Sequence, residues 1–231
     1  MNKVEKMIQS IPCLLWGERS NKIYIFVYGK GSSKNGRLAK LIAKVANQKG
    51  YQLLSFDLPE HGERKDVKRC DVFDGVSDLS LILDEVSKKY KEICVFGCSL
   101  GAYFSLQTLM NYSIKKCLFL SPIIDMEYLI SQMFLWFNVD EKRLEKEKEI
   151  YTPVDPLRYD YYCYVKSHPL THWTIPTAIL FGAKDNLQTL EIMKSFKEKY
   201  NGSLRVSENS EHAFMEENDY QIIEDWLVEM I

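Results

Sequence analysis

Apolar and polar positions along the chain alternate between two textures. Solid apolar runs occur at Ile23 to Val27 (IYIFV), Tyr51 to Phe56, Ile93 to Phe96 and Thr177 to Phe181. Runs of this length and composition fit strands covered on both faces. Lys116 to Leu120 and Ser203 to Val206 read as further short strands, and Cys13 to Trp16 as an edge strand. Between these runs, apolar residues return every three or four positions. Leu38, Leu41, Ile42, Val45 and Ala46 do so ahead of Gly50, and Val76, Leu79, Leu83, Val86 and Tyr90 do so across Gly75 to Tyr90. The spacing also predicts helices over Leu100 to Met110, Leu187 to Tyr200 and Asp219 to Ile231, the last burying Ile222, Ile223, Trp226, Leu227 and Met230. Strands alternating with helices imply an α/β fold, with a mostly parallel central sheet and helices on both faces.

The alternation breaks from Ile123 to about Trp173, where no clear strand is evident. Asp140 to Glu149 is almost wholly charged and reads as a solvated helix. Around it lie Phe134, Trp136, Phe137, Tyr159, Tyr161, Tyr162, Tyr164 and Trp173. The reading is a core formed by residues 1–122 and 174–231, with 123–173 a helical cap inserted over the active end of the sheet. The aromatic residues are either the cap's own core or a surface for an apolar or aromatic substrate group.

Composition narrows the function. A hydrophobic share of 46% over 231 residues supports a sizeable core, and a net charge of -2 with mixed signs leaves no basic stripe for nucleic acid or an anionic membrane. Cys13, Cys70, Cys94, Cys98, Cys117 and Cys163 show no C-x-x-C spacing and read as reduced thiols in a cytoplasmic protein. Lys3, Glu5 and Lys6 interrupt the N-terminal stretch, which makes a poor signal peptide. No later run is long enough to span a bilayer. No His/Cys/Asp cluster has metal-ligand spacing, and no cofactor is expected. The loop from Gly29 to Gly36 resembles a phosphate-binding loop only loosely. Arg37 and Leu38 stand where a lysine and a hydroxyl residue are required, and Ser32-Ser33-Lys34-Asn35 breaks the dinucleotide spacing.

The candidate chemistry centres on Gly97-Cys98-Ser99-Leu100-Gly101, a G-x-S-x-G pentapeptide between a strand and a helix. A sharp turn there lifts the Ser99 hydroxyl to the sheet's end and aims the first helical N–H groups at an adjacent oxyanion. Serine is a weak nucleophile without a base to take its proton. Imidazole titrates near neutrality and can accept and return that proton, and a carboxylate fixes its tautomer. Reacting groups in open parallel sheets gather beyond the carboxyl ends of strands. Ser99, Asp185 and His212 all occupy such positions, in the chain order Ser, Asp, His. Leu100 N–H is one expected oxyanion donor. Lys30, in the loop after Ile23 to Val27, is placed to supply the other. Asp125 is the rival acid. His61, in a Pro-flanked turn, and His168 and His172, in the cap, are the rival histidines.

With these motifs the chain resembles the α/β-hydrolase superfamily, in particular small capped serine hydrolases of the monoglyceride-lipase-like and feruloyl-esterase-like kind. The matching pieces are Gly97–Gly101, D-L-P-E-H-G at Asp57–Gly62, F-G-A-K-D at Phe181–Asp185 and S-E-H-A-F at Ser210–Phe214. The resemblance implies Ser99 as nucleophile, His212 as base, Asp185 as acid, and Lys30 and Leu100 as oxyanion donors. It implies cleavage of a small-molecule carboxylic ester through an acyl-enzyme. The same triad would serve a thioesterase or a peptidase/amidase, and a non-catalytic binding protein on this fold is the reading from another class. Two positions depart from the family pattern. Tyr28 stands where a histidine is usual before Gly29, and Glu60 replaces a glycine in the D-x-P-G-H-G turn.

Overall fold

The computed structural model describes residues 2–216 and 218–231. The first half of the chain runs β1 (Lys3–Ile8), β2 (Ile11–Trp16), β3 (Lys22–Val27), α1 (Arg37–Gln48), β4 (Gln52–Phe56), α2 (Val72–Ser87), β5 (Glu92–Cys98) and α3 (Leu100–Thr108). It continues with β6 (Lys116–Leu120), α4 (Met126–Phe137), α5 (Glu141–Glu147), β7 (Glu149–Ile150), β8 (Leu157–Arg158), α6 (Tyr159–Ser167), β9 (Thr177–Gly182), α7 (Leu190–Tyr200), β10 (Ser203–Ser207) and α8 (Asp219–Met230).

Eight strands form one sheet in the order β1-β2-β4-β3-β5-β6-β9-β10. The six strands from β4 to β10 pair parallel, and β2 pairs antiparallel with both β4 and β1. The central strands are the solid apolar runs: Ile23 to Val27 and Cys94 to Phe96 are all fully buried. Both faces of such strands must be covered, and helices do this, with α1 packing beside α8 and α2 beside α3. At one edge β1, with Lys3, Glu5 and Lys6, is exposed along almost its whole length. Its charges broke the apolar signal, and its partner β2, expected at the edge, instead lies one strand in, between β1 and β4.

Capping explains where two helices differ from the periodicity. α2 begins at Val72, three residues before Gly75, because the Asp71 carboxylate accepts from Phe73 and Asp74 N–H. α7 begins at Leu190, three residues after Leu187, with Thr189 as its cap. The N–H groups of Leu187 and Gln188 are instead held by Asp185.

The segment between β6 and β9 contains α4, α5 and α6. It also contains a small antiparallel pair, β7 with β8, where no strand was expected. Each strand is only two residues long, too short to leave a periodic trace. Among the described residues no helix is long and apolar enough to cross a membrane.

Candidate active site

β5 ends at Cys98 and α3 starts at Leu100, so the chain reverses direction on one residue. That residue, Ser99, has φ 49° and ψ −119°, a conformation that L-residues rarely hold without support. The support is visible. Ser99 N–H donates to Leu120 O at 3.1 Å, and Ser99 O accepts from Ala102 N–H at 3.0 Å and Ile123 N–H at 3.2 Å. The turn also presses α3 against β3: a Cβ on Gly101 would lie 2.1 Å from Val27 O, so only glycine fits there.

The other two side chains arrive from the ends of β9 and β10. Ser99 Oγ lies 2.8 Å from His212 Nε2, and His212 Nδ1 lies 2.7 Å from Asp185 Oδ2. The Asp185 side chain is fully buried and that of His212 is 15% exposed. Asp185 Oδ1 accepts from Leu187 N–H at 2.8 Å and Gln188 N–H at 3.1 Å, so the carboxylate cannot rotate away from the imidazole. A carboxylate beside Nδ1 selects the tautomer with Nδ1–H, which leaves the Nε2 lone pair facing the serine hydroxyl. The two loops are tied together as well. Ala183 N–H donates to Ser207 O, Lys184 N–H donates to Ser210 O, and Ser210 Oγ bonds Asp219 Oδ1 at 2.5 Å.

Lys30, Ser99 and Leu100 line one pocket of about 110 Å³. Its walls are Met126, Leu129, Ile130 and Met133 of α4, Leu157 of β8 and Tyr161 of α6. Among the described residues, the N–H groups of Lys30 and Leu100 have no hydrogen-bond partner, as expected for a loop and a helix start facing an open site. A larger cleft of about 440 Å³, between α4, α6 and α7, contains none of Ser99, Asp185 and His212.

No family model and no curated protein matches the chain. Solved structures do. Alpha/beta hydrolase domain-containing protein 10 from mouse is 17% identical, with a TM-score of 0.79 over 100% of this chain and 98% of that one. Est1E from Butyrivibrio proteoclasticus, with ferulic acid bound, is 17% identical, with a TM-score of 0.81 over 98% and 96%. The Pyrococcus furiosus esterase Pf2001 is 20% identical, with a TM-score of 0.70 over 99% and 88%. The chain has the α/β-hydrolase fold.

Within this α/β-hydrolase fold, the two departures noted in the sequence have physical resolutions. Tyr28, in the histidine position, is fully buried. Its hydroxyl accepts from Leu58 N–H at 2.8 Å and donates to Asp57 Oδ1 at 3.3 Å. Burial pushes its phenol well above the ordinary range, so it stays protonated and remains a donor. Glu60 adopts φ 62°, the left-handed conformation that glycine favours, and its carboxylate accepts from Cys70 N–H at 2.9 Å. The turn geometry therefore survives the substitution.

The same loop is anchored a second time. Lys34 Nζ contacts Asp57 Oδ2 at 2.7 Å and Glu63 Oε2 at 2.8 Å, while Lys34 N–H donates to Asp57 Oδ1. Burial lowers the Lys34 pKa, but the bonds to Asp57 and Glu63 outweigh it and raise the pKa above its ordinary value. Motif reading missed Tyr28 and Lys34 as loop anchors, because their shared partner, Asp57, lies 29 and 23 residues away.

The rival residues are engaged elsewhere. Asp125 caps α4, accepting from Tyr128 N–H at 2.8 Å. His168 stacks on Tyr164 with ring centroids 3.9 Å apart, and His172 is exposed. His61 packs against Tyr28 beside the loop. Most aromatic residues of the segment pack on one another or on the sheet: Phe134 with Tyr162, Trp136 with Phe137, Trp173 with Phe119. The pocket wall is aliphatic and methionine-rich instead, with Tyr161 its aromatic member. Among the described residues no group of three or more His, Cys, Asp or Glu is arranged to hold a metal ion.

Proposed function

We propose that the protein is a serine hydrolase that cleaves a carboxylic ester through an acyl-enzyme. The reading rests on one observation, the continuous hydrogen-bonded chain from Ser99 Oγ through His212 to Asp185 Oδ2, at 2.8 and 2.7 Å. Ser99 Oγ attacks the ester carbonyl as His212 Nε2 takes its proton, and Asp185 stabilises the imidazolium. The carbonyl oxygen becomes an oxyanion beside the N–H groups of Lys30 and Leu100, donors each worth about 3–4 kcal/mol of barrier lowering. The tetrahedral species expels the alcohol, which leaves with the proton from His212. Water then enters, gives a proton to His212 and attacks the acyl carbon. The acid departs as Ser99 regains its hydrogen.

Residues 123–173 act as a cap, and their α4 face forms the acyl pocket. At about 110 Å³ it is smaller than the ~150 Å³ apolar cavity that admits benzene, so a short apolar acyl group suits it. Six free thiols suit a cytoplasmic protein. A thioester could react by the same steps. The testing experiment is stopped-flow hydrolysis of p-nitrophenyl acetate. The expected result is a burst of one nitrophenolate per chain in the wild type and none in Ser99→Ala, and an equal rate in both proteins would refute the proposal.

A further inference from the structure

We propose that His61 is a positioning residue for the oxyanion site, clamping the loop that carries Lys30 through its neutral imidazole. The inference rests on the serine-hydrolase reading and assigns a role to a histidine which that mechanism does not use. His61 Nε2 accepts from Gly31 N–H at 2.9 Å, and Nδ1 lies 2.7 Å from Pro59 O. A carbonyl oxygen can only accept, so Nδ1 carries the ring proton. Nε2 therefore keeps its lone pair for Gly31. Both nitrogens are committed, and the ring cannot flip without losing both bonds.

The clamp acts on the backbone just after Lys30, whose side chain is held separately, its Nζ pairing with Asp155 and donating to Val154 O at 3.4 Å. Gly31 follows Lys30 directly, has φ 77°, and has nothing within 4 Å of where a side chain would begin. Lys30 and Gly31 are exposed, whereas Tyr28 and Gly29 before them are buried. The loop is thus fixed on its inner side by the Tyr28 hydroxyl at Asp57 and Leu58, and on its outer side by His61. Lys30 N–H lies between the two anchors. The imidazole is in turn held edge-on to Tyr28, with centroids 5.7 Å apart, and by Pro59 O in the turn that Glu60 completes. Without the acceptor, Gly31 can rotate toward solvent and carry the preceding peptide with it. A donor displaced by about 1 Å in a transition state can cost on the order of a hundredfold in rate.

The experiment compares His61→Phe, which keeps a ring against Tyr28 and removes the acceptor, with His61→Gln, whose Oε1 can reach the place of Nε2. In the full chain, His61→Phe is expected to lower kcat for p-nitrophenyl acetate about thirtyfold, with KM within about threefold. Inhibition by a trifluoromethyl ketone, whose adduct mimics the oxyanion, should weaken in proportion. His61→Gln should recover kcat to within about fivefold of wild type. Nitrogen-15 spectra should show His61 protonated at Nδ1 and the Gly31 amide shifted in His61→Phe. A kcat for His61→Phe within twofold of wild type would overturn the proposal. So would equal losses in both variants, or a proton on Nε2. A wild type that neither turns over esters nor forms the ketone adduct would contradict the hydrolase reading alone, since the tautomer and the Gly31 shift still decide whether the clamp exists.

Discussion

Gly29 and Ser99 are in contact without room for a side chain between them: a Cβ on residue 29 would lie 2.8 Å from the Ser99 Cβ and 3.4 Å from its Oγ. The loop after β3 therefore lies directly against Ser99, the proposed nucleophile, which brings Lys30 beside it. Gly29→Ala must move either the loop or the serine. The expected outcome is a fall in kcat of at least about a hundredfold, larger than any loss of stability would explain. Ester kinetics alongside urea unfolding measure both quantities.

Asp185→Asn tests the tautomer argument. The amide oxygen can still accept from Leu187 and Gln188, so the turn should hold. The amide nitrogen would then donate to His212 Nδ1 and force the proton onto Nε2, which can no longer take one from Ser99. A drop in kcat of about 10⁴-fold is expected, with the urea midpoint nearly unchanged. A loss below about tenfold would show that Asp185 does not orient the imidazole.

Lys34→Met strands the fully buried Asp57 carboxylate, leaving it Lys34 N–H, Glu63 N–H and the Tyr28 hydroxyl but no cation. Removing one member of a buried pair costs about 3–5 kcal/mol, which equilibrium unfolding in urea at pH 7 should register. The sign with pH follows from the raised folded pKa. The Lys34 contribution is full below the ordinary lysine value of 10.5 and is lost as pH rises through the higher folded value. The gap between wild type and variant should therefore be constant from neutral pH to about 10 and shrink above it.

The proposed acyl pocket, walled by α4, makes a prediction about acyl specificity. p-Nitrophenyl esters from acetyl to butyryl should give the highest kcat/KM, with a decline of about tenfold or more by octanoyl. Met133 lines the pocket, so Met133→Ala enlarges it and should move the optimum to longer chains. A flat response across the series in both proteins would dissociate this pocket from the acyl group.

Much of this arrangement was legible because it depends on local chemistry. The parallel strands other than β10 are largely apolar runs, and β6 spans the residues the pattern indicated, Lys116 to Leu120. Ser99, Asp185 and His212 stood out in the sequence because each follows a strand end, and in the structure Ser99 Oγ lies 2.8 Å from His212 Nε2 and His212 Nδ1 2.7 Å from Asp185 Oδ2. What stayed hidden depends on contacts between distant residues. Nothing local marks Tyr28 as the partner of Leu58, Lys34 as that of Asp57, or His61 as that of Gly31. Charge concealed β1, whose side chains face water, and length concealed β7 and β8. The aromatic residues of the 123–173 segment were conspicuous in the sequence, but Phe134 packs on Tyr162, Trp136 on Phe137 and Trp173 on Phe119, while the less conspicuous Met126 and Met133 line the pocket beside Ser99.

The central claim is that the Ser99 hydroxyl is activated by His212. The most direct measurement is intact-mass and peptide-mass analysis after brief exposure to a fluorophosphonate at pH 7.5. The expected result is a single phosphonyl adduct on the peptide containing Ser99, lost in Ser99→Ala and slowed at least about a hundredfold in His212→Ala. An unmodified chain, or an adduct that persists at the same rate when His212 is removed, would contradict the account.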